Sequence, residues 1–155
     1  MNIEPAVVSA ITALVAVIVG PIITLLVARK QINASVLSGN RQQWINRLRD
    51  ELASLVAIVH HLPSAHANES ISTDAAIEKY GEFVEKAQTV KLLINPKEPD
   101  HTNLVKLIEN ASDQIIASIN SNRAKASELE AAAAAIVSCA QSILKREWER
   151  VKRGQ

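Results

Sequence analysis

AVVSAITALVAVIVGPIITLLVA, residues Ala6 to Ala28, is a run of 23 positions without a charged side chain. At about 1.5 Å of rise per helical residue it can cross the roughly 30 Å hydrocarbon core of a bilayer. A cleaved secretory signal carries a basic leading segment, a shorter apolar core of about 7–15 residues and an Ala-x-Ala-like site. Here Glu4 precedes the run, no Lys or Arg does, and Val27-Ala28-Arg29 is a poor cleavage context. A 155-residue chain with two Trp, one Phe and one Tyr could hardly wrap such a helix on all sides. The stretch therefore predicts an uncleaved span over about residues 6–28, within an anchor of residues 1–30, whose first partner is the lipid bilayer.

Lys and Arg accumulate on the cytoplasmic side of a membrane protein. Arg29, Lys30, Arg41, Arg47 and Arg49 follow the run, so the N-terminus is expected outside and residues 29–155 in the cytoplasm. Within the span, Thr12, Ala16, Gly20 and Thr24 recur every four residues. They fall near one face and would let a second helix approach closely, which points to a homo-oligomer. Pro21 removes one backbone hydrogen bond, and a kink is expected at Gly20-Pro21.

Beyond the anchor there is room for one small domain. Four Gly, 3% aromatic residues and abundant Ala, Leu, Ile, Glu, Lys and Gln favour helices over strands. All 17 basic residues follow the span and 15 of the 16 acidic ones do, a formal balance of +2 with His neutral. Such a balance gives no general drive toward nucleic acid. A lone Cys139 excludes an internal disulfide framework.

Residues 31–40 (QINASVLSGN) are a linker or a helix continuation, with a break at Ser38-Gly39-Asn40 slightly favoured and Asn40 as the next cap. From Arg41, the residues Ile45, Leu48, Leu52, Leu55, Val59 and Leu62 alternate steps of three and four, a heptad seam that Pro63 is expected to end. Ser64 to Ser72 reads as a loop. Ser72 or Thr73 then caps a second helix with a stripe of Ile77, Tyr80, Val84, Ala87, Val90 and Ile94. Asn95 to His101 (NPKEPDH) is a rigid loop, and Asp100 is the expected cap of a third helix carrying Leu104, Ile108, Ala111, Ile115 and Ile119 inward. Ser127 and Glu130 have capping-box spacing before a fourth, with Leu129, Ala133, Ile136, Ala140, Ile143, Trp148 and Val151 on its inner face.

The predicted fold is all-α: one N-terminal transmembrane helix, then an antiparallel up-down bundle of about four helices over residues 41–155. If the first helix leaves the membrane, the fourth returns toward it. Arg146, Trp148, Arg150 and Arg153 would then join Arg41 and Trp44 in a membrane-proximal surface, each cation gaining about 1 kcal/mol from an anionic leaflet.

Candidate chemistry is sparse. His60, His61, His66 and His101 lack the spacing of a helical metal pair, and Pro99 interrupts Glu98-x-x-His101, so no metal or cofactor is expected. Asp50-Glu51 and Glu128/Glu130 read as solvated ion pairs, and Cys139, among Ala and Ile, as an inert thiol. No catalytic residue and no Gly-rich phosphate loop emerges, so an enzyme is not expected. The basic face of Arg41, Arg47 and Arg49 with Trp44 is explained by the membrane more simply than by nucleic acid.

Three blocks, NRQQWINRLRDE (40–51), LLINPKEPDH (92–101) and LKREWERVKRG (144–154), resemble those of a group of small, uncharacterised bacterial proteins with an N-terminal membrane helix and a helical cytoplasmic domain. The resemblance covers about a fifth of the chain in strict blocks. It implies the bacterial inner membrane, brings no activity with it, and draws attention to Trp44, Asn46, Arg49, Asn95, Pro96, Asp100, Trp148 and Arg150. The expected role is a single-pass interaction or scaffold protein that self-associates or recruits a membrane-associated protein partner. The alternatives are a membrane-perturbing effector acting through an assembled span, of toxin or phage-related type, and a sensory or regulatory module.

Overall fold

The computed structural model describes residues 5–121 and 126–153, and these form four helices with no strand among them. They are α1 (Pro5–Ala67), α2 (Thr73–Leu93), α3 (Pro99–Ser121) and α4 (Ala126–Lys152). Helix α1 is 63 residues long and contains the whole apolar run, residues 31–40, and the heptad seam.

Two expected interruptions of α1 are absent: the helix continues through Ser38-Gly39-Asn40 and past Pro63 to Ala67, and it is also unbroken through Gly20-Pro21, where a kink and not a break is expected. At Gly39 an added Cβ would meet nothing within 4 Å. One exposed Gly costs about 1 kcal/mol relative to Ala, too little to break a helix that is templated from both sides. At Pro63 the ring is itself fully buried, and the extra turn is held when His66 Nε2–H donates to the Ile119 carbonyl at 3.3 Å. These contacts offset the lost i→i−4 bond. Gly39→Ala is expected to add about 0.5–1 kcal/mol of local helix stability. Stronger amide-exchange protection around residues 35–43 would show this, and weakened protection would place a hinge there.

The core begins abruptly at Ile45. Ile45, Leu48, Leu52, Leu55, Val59 and Leu62 are all buried, as the seam predicts. Ser72 caps α2, its hydroxyl accepting from the Ala75 N–H at 3.2 Å. The buried stripe of α2 is Ala76, Phe83, Ala87, Val90 and, at the C-cap, Ile94, with Tyr80 partly buried. Ile77, expected in the stripe, points outward at 57% exposure, and Ala76, one position before it, takes the buried place. In α3, Leu104, Ile108, Ala111 and Ile115 are buried as expected, with Ile119 partly so. Pro99 opens α3, occupying a position where its missing N–H needs no partner. Glu98, not Asp100, stands at the threshold, its carbonyl accepting from the Thr102 N–H at 3.1 Å. Helix α4 starts at Ala126, so Ser127 lies inside its first turn, and residues 122–125 are outside the described residues. Its inner row is Leu129, Ala133, Ile136, Ala140, Ile143 and then Glu147, while Trp148 is 40% exposed.

Helix α1 packs against all three others, α3 packs against α2 and α4, and α2 and α4 do not meet among the described residues. The apolar run makes no part of this core: the large apolar side chains of α1 described between Val8 and Leu37 are 43 to 70% exposed. Among the described residues α1 is the one helix long and apolar enough to cross a membrane.

Candidate functional site: an ionic clamp at the root of the long helix

Where α1 enters the bundle, three elements converge on it: the α2–α3 loop, the first turn of α3 and the last turns of α4. The loop is built by its own side chains. Asn95 Oδ1 accepts from the Lys97 N–H at 3.1 Å, the Glu98 N–H donates to the Asn95 carbonyl at 3.1 Å, and Thr102 Oγ1 donates to the Pro96 carbonyl at 3.2 Å. Asn95 N–H also donates to His101 Nδ1 at 2.9 Å. With Nδ1 accepting, the ring proton belongs at Nε2, which faces Glu98 Oε2 at 3.8 Å.

This folding brings Glu98 and His101 together, contrary to the expectation that Pro99 keeps them apart. As the first helical residue, Pro99 starts a regular turn, and positions three apart then share a face.

Arg146 of α4 fills the centre of the arrangement. Its guanidinium donates to Asp100 Oδ2 and to Glu98 Oε2, and its Nε lies 3.4 Å from Glu147 Oε1. Glu147, only 5% exposed, is also bound by Arg150 Nη1 at 2.6 Å and approached by Arg41 Nε at 3.7 Å. Arg150 reaches Glu98 Oε1 at 3.6 Å. Three guanidinium groups and three carboxylates thus interlock across α1, the loop, α3 and α4.

Burial works to raise the Asp100 carboxyl, but the hydrogen bond and charge of Arg146 override it and hold Asp100 below its usual range. Burial likewise acts to weaken the Arg146 cation, and Asp100 and Glu98 reverse that, so its proton is held more tightly than usual. Glu98, Asp100 and His101 bring possible ligand atoms within 4.8 Å of one another, as a cation site would. The Arg146 guanidinium, bonded to both carboxylates, supplies the positive charge at that place. Beside it, Cys139 Sγ–H donates to the Asp100 carbonyl at 3.5 Å and accepts from Asn103 Nδ2 at 3.8 Å. Burial pushes this thiol upward, away from a reactive thiolate.

Trp44 closes the arrangement from α1. Its indole N–H donates to the Leu93 carbonyl at 2.6 Å and its ring stacks on His101 with centroids 6.3 Å apart. Leu37 and Asn40 of α1 line the outer side of a cleft of about 430 Å³ above Trp44.

The expected membrane-proximal residues therefore divide. Arg41, Trp44, Arg146 and Arg150 come together, but as members of the clamp, whereas Trp148 and Arg153 face outward. The expected packing row also has a definite state: Thr12 Oγ1 donates to the Val8 carbonyl and Thr24 Oγ1 to the Gly20 carbonyl, both at 2.9 Å, and Gly20 has open space around it. Glu147 is the clamp residue that the sequence reading passed over, although it continues the three-four row from Ile136, Ala140 and Ile143. Comparison with known proteins finds no matching family model, no matching curated protein and no matching solved structure.

Proposed function

We propose that this chain is a single-pass membrane-anchored interaction or scaffold protein that self-associates. On this reading the N-terminus lies outside and residues 29–155 face the cytoplasm of a bacterial inner membrane. It acts by holding a helical bundle at a fixed place on the membrane, not by catalysis or by binding nucleic acid. The observation that carries the reading is the contrast along α1. Its N-terminal apolar side chains are uncovered, and from Ile45 onward the same helix supplies the core of the bundle. An apolar surface of that extent exceeds what water tolerates on a monomer.

The order of the contacts supports an antiparallel up-down bundle. Trp44 and Glu51 of α1 meet Leu93 and Lys86 of α2, so the two run oppositely. Asp100 and Asn103 of α3 meet Arg146 and Cys139 of α4 in the same reversed order. Arg41 meets Glu147, which returns the end of α4 to the root of α1.

The length of α1 bears on the proposed surface of Arg41, Trp44, Arg146, Trp148, Arg150 and Arg153. Arg41 lies twelve helical steps beyond Arg29, about 18 Å of rise. With α1 along the bilayer normal this end of the bundle stands clear of the headgroups, and contact with them requires tilt.

The test is on the full chain in membranes. It is expected to resist alkaline carbonate, to need detergent for release, to keep its C-terminus protected in intact spheroplasts, and to give discrete oligomers with an amine-reactive crosslinker. Release by carbonate, or a strictly monomeric species without a partner, would refute the proposal.

A further inference from the structure

Between Arg29 and Arg41, α1 is a stalk belonging neither to the span nor to the bundle. It carries Ile32 at 60% exposure and Val36 at 54%. At 100° per residue, these two lie roughly opposite the face that Ile45, Leu48, Leu52 and Leu55 turn into the core. The bundle cannot cover them. Nor does lipid reach Val36 with α1 upright: it lies seven residues, about 10 Å, beyond Arg29, past a headgroup layer of about 5–8 Å. Leu37, the third large apolar residue of the stalk, lines the cleft on the bundle side.

The same three-four spacing runs back from Val36 and Ile32, through Arg29, to Leu25, Ile22, Ile18 and Val15, every described apolar member of which is exposed. Forward of Val36 it passes to Gly39, Gln43 and Asn46, where it turns polar. We propose that a second copy of this chain packs along this face, parallel and in register, so that one helical seam continues from the span into the stalk. The inference deepens the self-association reading and rests on it.

The occupant follows from the anchor. Arg29-Lys30 sets every copy at the same depth and in the same direction, so a second copy presents Ile32 to Ile32 and Val36 to Val36 without further design. Confinement to one membrane raises its effective concentration. Val15, Ile22 and Val36 stand at the alternate seam positions where parallel pairs favour β-branched residues, and Leu25 is the Leu such pairs favour between them, while Ile18 and Ile32 occupy the other two intervening positions. Arg29 interrupts the seam at the membrane border, where its long side chain can bend toward headgroups. The alternative small-residue row offers close fit, but the Thr12 and Thr24 hydroxyls are already bonded to carbonyls of their own helix.

The experiment places single cysteines at Gln31, Ile32, Val36 and Leu37 of the full chain in a Cys139→Ser background and oxidises native membranes mildly. Ile32→Cys and Val36→Cys are expected to give disulfide dimers several-fold more than Gln31→Cys and Leu37→Cys, which flank the seam on either side. Equal yields at all four overturn the seam. No disulfide at any position, while an amine-reactive crosslinker still gives oligomers, overturns the seam and leaves self-association standing through another surface. Absence of oligomers by both methods overturns the two together.

Discussion

Phe83→Ala is expected to lower the stability of the bundle by about 3–5 kcal/mol, whereas Ile77→Ala changes it by less than about 0.5 kcal/mol. Phe83 is completely buried and stacks on Tyr80 with ring centroids 6.1 Å apart, so truncation empties a cavity that neighbouring helices cannot close. Ile77, on the same helix, is more exposed than not. Denaturation of the detergent-solubilised full chain, followed by Trp fluorescence, measures both. The reverse ranking would mean that α2 is turned by one residue from the register described here.

Arg146→Ala is expected to cost about 1–2 kcal/mol at neutral pH, less than the roughly 3–5 kcal/mol of a fully buried pair, because water screens the clamp. The Arg146 and Asp100 side chains are about a third exposed, at 35% and 31%. The response to acid carries the sharper sign. In the native chain the folded state holds Asp100 below its ordinary value of 3.8, so this contribution is complete above that value and is withdrawn as pH falls through the lower folded one. Without Arg146 the hydrogen bond and charge that override burial are gone, so Asp100 is no longer held as far below its ordinary value. The variant is then expected to lose less stability than the native chain as pH falls below about 4. Urea midpoints across that range decide the matter, and parallel curves for the two proteins would show that Arg146 does not govern Asp100.

How far these features were legible in the sequence depends on which physical signal each residue carries. The seam from Ile45 to Leu62 could be read directly, because each of its positions holds a large aliphatic residue at the right step. The inner row of α2 is equally regular at Ala76, Tyr80, Phe83, Ala87, Val90 and Ile94. Its small Ala76, however, stands beside Ile77, and hydrophobicity alone selects the neighbour. Glu147 was hidden for the opposite reason: a charge in an apolar row looks like the end of the row. Only the guanidinium groups of Arg146 and Arg150 on its own helix, together with Arg41 from α1, make its burial tolerable.

The prolines and glycines misled through locality. Pro63 and Gly39 weaken a helix by amounts that can be stated from sequence, but what outweighs them cannot. Pro63 is compensated by its own burial and by His66 reaching Ile119, a residue 53 positions away. The clamp was half legible: Pro99 at the first turn and Asp100 behind it mark a helix start, yet the partner 46 residues further on becomes visible only once α4 lies against α3.

An α-helix of 63 residues is about 95 Å long, and it runs unbroken from the apolar run into the root of the bundle. The bundle hangs on one flank of this shaft. Turning the shaft by a single residue step, about 100°, would therefore carry the whole bundle from one azimuth to another, and a rise or fall of the shaft would displace it by the same distance. A loose tether would average such motions away, whereas an unbroken helix is the element that would pass them on.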